Sequence, residues 1–138
     1  AGSLTVAHVG DSRAYLIRDG AVRTLTSDHS LVGEMVRNGE MTEAEAMSHP
    51  QRNILTNALG TVQTWIELIE EEWQAGDALL LCTDGLTNLM SGDEISAVVS
   101  GEKTFDDVAP ALVAEALRRG GHDNVTVVAA LRQQEVVA

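Results

Sequence analysis

Apolar and polar residues alternate from Leu4 to Val9, and a denser apolar run follows from Arg13 to Arg18, so both stretches are predicted to be strands. Asp19-Gly20, placed between the second run and Ala21 to Leu25, is a strong hairpin signal, because both residues tolerate the positive φ of a tight turn. The period then changes. Val32, Met35, Val36 and Gly39 fall at i, i+3, i+4 and i+7, which predicts a helix with Gly39 as its stop. Thr42 and Glu45 form a capping box for a short second helix ending near Pro50, so a helical insert spans about Leu31 to His49. Strands are predicted near Asn53 to Ala58 and Thr64 to Glu71, leading to Leu79 to Cys82, a run too short and β-like for an isolated helix. Ser91 and Glu94 make a second capping box, for a helix through about Val99. Leu112, Val113, Ala116 and Leu117 share one face of a last helix. It must start late, near Asp106 or Asp107, for Pro110 to be tolerable. Arg118 and Arg119 sit where a helix dipole favours cations, and the β-branched stretch Val125 to Leu131 reads as a final buried strand.

Composition narrows the classes. At 138 residues and 44% hydrophobic content the chain can bury one core, so residues 1–138 are expected to form one unit. Aromatic residues make up 3%, so that core must be aliphatic. No apolar run approaches the roughly 18 residues that span a bilayer, and no basic region precedes an apolar one at the start. A soluble, cytoplasmic protein without a membrane segment in this chain is therefore expected. The net charge of −12 argues against nucleic acid, whose phosphates want Lys and Arg. Much of that charge reads as solvated surface, including Glu67, Glu70, Glu71 and Glu72. Cys82, the single cysteine, lies in an apolar run with no flanking cation and reads as a buried, inert thiol.

Two acids stand apart because they sit where apolar runs meet glycine-rich turns. Asp84 follows Leu79 to Cys82 and precedes Gly85; Asp123 follows Gly120 and Gly121 and precedes Asn124 and an apolar run. Carboxylates held by rigid strands at a loop mouth suit Mg²⁺ or Mn²⁺, which take oxygen ligands and keep several waters. The plain alternative is that Asp-Gly and Asp-Asn are common turn dipeptides. Ser12 has no G-x-S-x-G elbow to make it a nucleophile. His8, His29, His49 and His122 lack the i, i+4 spacing of a zinc helix.

Five segments, in order, change the weight of these readings: LTVAHVGDSRAYLIRDG (4–20), LTSDHSLV (25–32), SHPQRNILTNALG (48–60), LLLCTDGLTN (79–88) and GGHDNVTVV (120–128). Together they resemble the bacterial metal-dependent protein phosphatases of type 2C. The resemblance implies an α+β fold, a sandwich of two mainly antiparallel sheets flanked by helices, with residues 31–49 as a flap. It implies that Asp84 and Asp123 are metal ligands of a centre holding two Mg²⁺ or Mn²⁺ ions. Asp28 would share a third ion with Asp84, although a turn or helix N-cap before Leu31 explains Asp28 about as well. Gly85 and Asn124 would shape the loops, and the GDSR turn would be structural, with Asp11 and Arg13 satisfying buried backbone or each other.

The implied activity is hydrolysis of phosphoserine or phosphothreonine in a phosphoprotein substrate by a metal-activated water. The family's acidic pair, its Asp-Gly-x-Gly-Gly-His motif and its phosphate-holding Arg have no counterpart in this sequence. The chain is accordingly expected to be a C-terminal portion of the catalytic domain, incomplete at its N-terminus and nearly inactive alone. It is expected to pair with the missing N-terminal part or to form a homodimer. The alternative is a non-catalytic module of the same fold that self-associates through exposed sheet edges.

Overall fold

A computed structural model describes residues 2–135. The predicted hairpin forms: β2 (Arg13–Arg18) and β3 (Ala21–Thr24) pair antiparallel, joined by Asp19 and Gly20 at φ of 51° and 77°. β2 also pairs with β5 (Ala78–Cys82), and β5 with β6 (Val127–Leu131), giving a four-stranded antiparallel sheet in the order β3-β2-β5-β6. β1 (Gly2–His8) instead pairs antiparallel with β4 (Glu67–Trp73) in a separate two-stranded sheet. The α+β class with two antiparallel sheets is thus present. Val6 and His8 of β1 and Ala14, Leu81 and Val128 of the larger sheet line one cavity of about 470 Å³, where the two sheets face each other.

The core lies on the other face of the larger sheet. Tyr15, Ile17, Leu80 and Cys82 pack against Leu86 and Met90, against Ile95 of α4 (Gly92–Gly101), and against Val108, Leu112 and Ala116 of α5 (Val108–Arg118). The Ser91–Glu94 capping box is formed. A 3₁₀ turn, Phe105–Asp107, precedes α5, so Pro110 falls in the first helical turn, where its missing N–H has no intrahelical partner to lose. The buried stripe of α5 runs at i, i+4, i+8 and excludes Leu117, which is 61% exposed. Burial pushes the Cys82 thiol up to about 12, as fits an inert side chain.

Three expectations are corrected. Residues 53–58 form no strand; a single bridge joins Leu55 to Ser30, and Ile54 and Leu55 stay half exposed because no sheet edge lies alongside them. The strand expected from Thr64 starts at Glu67 and runs to Trp73. Within it Glu67, Ile69 and Glu71 share one side, and Glu67 is not a solvated charge, because it meets two histidines; Glu71 pairs with Arg23 of β3 in an exposed ion pair.

Arg18 of β2 donates to both oxygens of the fully buried Asp77, just before β5, at 2.8 and 2.7 Å, and reaches the other sheet by donating to the Glu72 carbonyl of β4 at 3.0 Å. That fork, helped by the Gln74 backbone N–H, holds the Asp77 carboxyl below the usual carboxylate range. A lowered folded value stabilises the protein above the unfolded carboxylate range and is lost as pH falls through it. Equilibrium denaturation from pH 6 towards 3 should therefore show a smaller acid loss for Arg18→Met than for the native chain. The variant should start less stable than the native chain, because the Asp77 carboxylate keeps fewer partners.

Candidate functional site

The antiparallel register that sets Arg13 opposite Cys82 also governs the loops that leave these strands. Asp11 precedes Arg13 by two residues and Asp84 follows Cys82 by two, so the same pairing brings the two acids to one end of the sheet. Asp84 opens a four-residue helix, α3 (Asp84–Thr87), whose next residues, Leu86 and Met90, are anchored in the core. Asp28 arrives from the other side, at the foot of the flap. The segment expected to act as the flap holds two short helices, α1 (Leu31–Arg37) and α2 (Glu43–Ser48), the second closed by the Thr42–Glu45 capping box. Asp11, Asp28 and Asp84 together line a cavity of about 420 Å³ beneath these helices, with Arg37, Met47 and Arg52 contributing from the flap side.

The three acids differ electrostatically. Asp28 is ion-paired: Arg13 donates from Nε and a terminal nitrogen to its two oxygens at 2.9 and 2.8 Å. Arg13 therefore pairs with Asp28 and not with Asp11. The N-cap of α1 is Ser30, whose hydroxyl accepts from the Gly33 N–H at 3.0 Å, so Asp28 is not the cap of that helix. Asp11 is held above the ordinary carboxylate range, first by burial and then by the negative charges of Asp84 and Asp28. Asp11 is the member of this group that sequence reasoning passed over. Its signal is the register of β2 on β5, which no local pattern in GDSR discloses.

Asp123 comes from a different loop, 120–126, and is exposed; it is not on the wall of the cavity. Its loop is nonetheless docked on the Asp84 turn. Thr83 N–H donates to Thr126 O at 3.1 Å, Thr126 N–H donates to the Thr83 hydroxyl at 3.0 Å, and Gly85 lies against the Asn124 carbonyl. Gly85, having no Cβ, lets the two backbones touch. Asn124 contributes that backbone, while its own N–H donates to Asp123 Oδ1 at 2.7 Å.

Behind the acids lies a buried cluster that the spacing of the histidines did not reveal. His8 Nδ1 and His29 Nε2 both meet Glu67 Oε2, at 2.9 and 3.2 Å. β1 and β4 place His8 directly opposite Glu67, and the alternation of Glu67 with the inward Ile69 was the readable sign. Burial, and then the neighbouring His8, hold the His29 ring below the ordinary histidine value, against the pull of Glu67.

A family model described as protein phosphatase 2C matches residues 1–125. The serine/threonine phosphatase stp of Listeria monocytogenes is 41% identical over 125 residues, which cover 90% of this chain and 50% of that protein. The crystal structure of Stp1 from Staphylococcus aureus superimposes with a TM-score of 0.88 at 38% identity, over 96% of this chain and 52% of that one. A structure of the catalytic domain of the phosphatase PstP in complex with 2 manganese ions gives a TM-score of 0.81 at 38% identity, over 94% and 54%. The chain spans about half the length of the curated relatives it matches. With the family model covering nearly all of it and an acidic cavity between a sheet end and a helical flap, the chain belongs to the protein phosphatase 2C family.

Proposed function

We propose that this chain supplies part of a divalent-metal site used to hydrolyse phosphoserine or phosphothreonine in proteins. The observation that carries the reading is the convergence of Asp11, Asp28 and Asp84 on one cavity, with the Asp123 loop docked on the Asp84 turn. The donor set fits Mg²⁺ or Mn²⁺: all four groups are carboxylates, and the burial and, after it, the repulsion from Asp84 and Asp28 that raise Asp11 are what a bound cation offsets. Asp84 and Asp123 would hold one ion of a two-ion centre, and Asp84 with Asp11 or Asp28 a further one. Each Asp28 oxygen keeps a second lone pair while Arg13 is bound, so Asp28 can hold a metal-bound water without breaking its ion pair. Bound there, divalent ions supply an activated water and offset the charge of a phosphoryl group.

The remaining roles belong to the chain itself. Arg13 holds the Asp28 carboxylate in place. Arg37 donates to the Asp28 carbonyl at 2.7 Å and so ties the flap to the rim of the cavity. Exposed Ser12 takes no part as a nucleophile, and no phosphoenzyme intermediate is required.

The test is Mn²⁺ titration by calorimetry with a phosphopeptide assay on the same sample, comparing the chain with its Asp84→Asn, Asp123→Asn double variant. Binding that is lost in the variant, at least tenfold or about 1.4 kcal/mol, is expected. Equal binding by both proteins would remove these two acids from the site.

A further inference from the structure

The ligand atoms of His8, His29 and Glu67 lie within 4.8 Å of one another, which invites a transition-metal site. The proton positions argue otherwise. Asn57 is oriented by the Trp65 backbone: Trp65 N–H donates to its Oδ1 at 3.3 Å and its Nδ2 donates to Trp65 O at 2.8 Å. That orientation points an Asn57 N–H at His29 Nδ1, 3.0 Å away, and the Gly10 backbone N–H donates to the same nitrogen at 3.1 Å. Two donors on Nδ1 require it to be bare, so the neutral ring carries its proton on Nε2 and donates it to Glu67. A metal needs a lone pair on Nε2, and here that nitrogen is a donor.

The backbone of the same residue completes a clamp. His29 N–H donates to Gly10 O at 2.8 Å, and its carbonyl accepts from Thr56 N–H at 2.9 Å. Beside it Leu31 N–H donates to Ile54 O at 2.9 Å, which closes the base of the flap. The ring is 1% exposed and is held between Trp65 and His8, with centroids 4.1 and 4.5 Å away. One residue thus joins the turn before Asp11, both ends of the flap and, through Glu67, the β1–β4 sheet.

We propose that His29 is a positioning residue, a proton-locked clamp that fixes the flap base and the places of Asp11 and Asp28. The part that concerns metal binding by those acids rests on the function proposed above. Two conservative variants separate the halves of the ring. His29→Asn sets an acceptor where Nδ1 stands and lacks the Nε2 donor; His29→Gln reaches to the Nε2 donor and lacks the Nδ1 acceptor.

Amide exchange of the 138-residue chain, with imidazole nitrogen NMR of the native protein, decides the matter. The native ring is expected to show protonated Nε2 and bare Nδ1, unchanged when Zn²⁺ is added. His29→Gln should exchange about tenfold faster than native at Leu31 and Thr56, amides the ring does not touch, with Leu80 and Leu112 unaffected. His29→Asn should keep those amides near native. Equal acceleration in both variants, a protonated Nδ1, or loss of the Nε2 proton to Zn²⁺ would each overturn the proposal. Mn²⁺ affinity should follow the exchange result, falling in His29→Gln alone. If the native chain binds no Mn²⁺, the metal reading falls while the tautomer and the exchange still decide the clamp.

Discussion

Replacing Gly85 with alanine is expected to destabilise the chain by about 2–3 kcal/mol and to weaken Mn²⁺ binding at the site proposed for Asp84 and Asp123. A Cβ at this position would overlap the Asn124 carbonyl oxygen and stand 2.9 Å from the carbonyl carbon, and both atoms belong to backbone. A flexible side chain could swing away, but this backbone is held by the Thr83–Thr126 pair of hydrogen bonds, so relief requires the 120–126 loop to lift from the Asp84 turn. Gly92→Ala is the control, because a Cβ there meets nothing within 4 Å at the start of α4. Urea denaturation of both variants, followed by Mn²⁺ titration, checks the expectation. A Gly85→Ala chain as stable as Gly92→Ala and binding like the native protein would show that the two loops are not rigidly joined.

Truncating Leu112 to alanine is expected to cost about 3 kcal/mol and to lower the melting temperature by roughly 10 °C. Leu112 is fully buried between α5 and the larger sheet, and the site stands on that packing: Leu86 and Met90, which anchor the Asp84 helix, belong to the same cluster. Leu117→Ala, on the same helix but 61% exposed, should stay within about 0.5 kcal/mol of native. Calorimetric melting of the pair is decisive. Comparable losses from both would mean that the outer side of α5 is covered in solution.

This pair also marks how far helical periodicity can be read. The spacing of Leu112, Val113, Ala116 and Leu117 identified a helix and most of its apolar side. It could not say that the sheet sits against the Val108–Leu112–Ala116 line and leaves Leu117 in water, because the stripe is wider than the contact. Strand signals behaved alike. The Asp19-Gly20 hairpin was legible because turn dihedrals are a property of the two residues themselves. Residues 53–58 looked like a strand and formed none, since a strand needs an edge to pair with, and this segment is spent on closing the flap.

The sequence by itself determined the local devices: the two capping boxes, the hairpin turn, the late start of α5 before Pro110, and the ordered motifs that point to the family. Each of the caps and turns depends on residues a few positions apart, whose energetics are settled within one turn of chain, and the motifs are legible from their order along it. Tertiary structure alone decided which acids meet. Asp11 reaches Asp84 through the β2–β5 register, Asp28 is taken by Arg13 across 15 residues, and Glu67 becomes the shared acceptor of two histidines 59 and 38 residues away. A carboxylate's partner is chosen by whichever cation, donor or like charge the fold brings within a few ångströms. That choice is absent from local pattern, because it is made by strand register and burial.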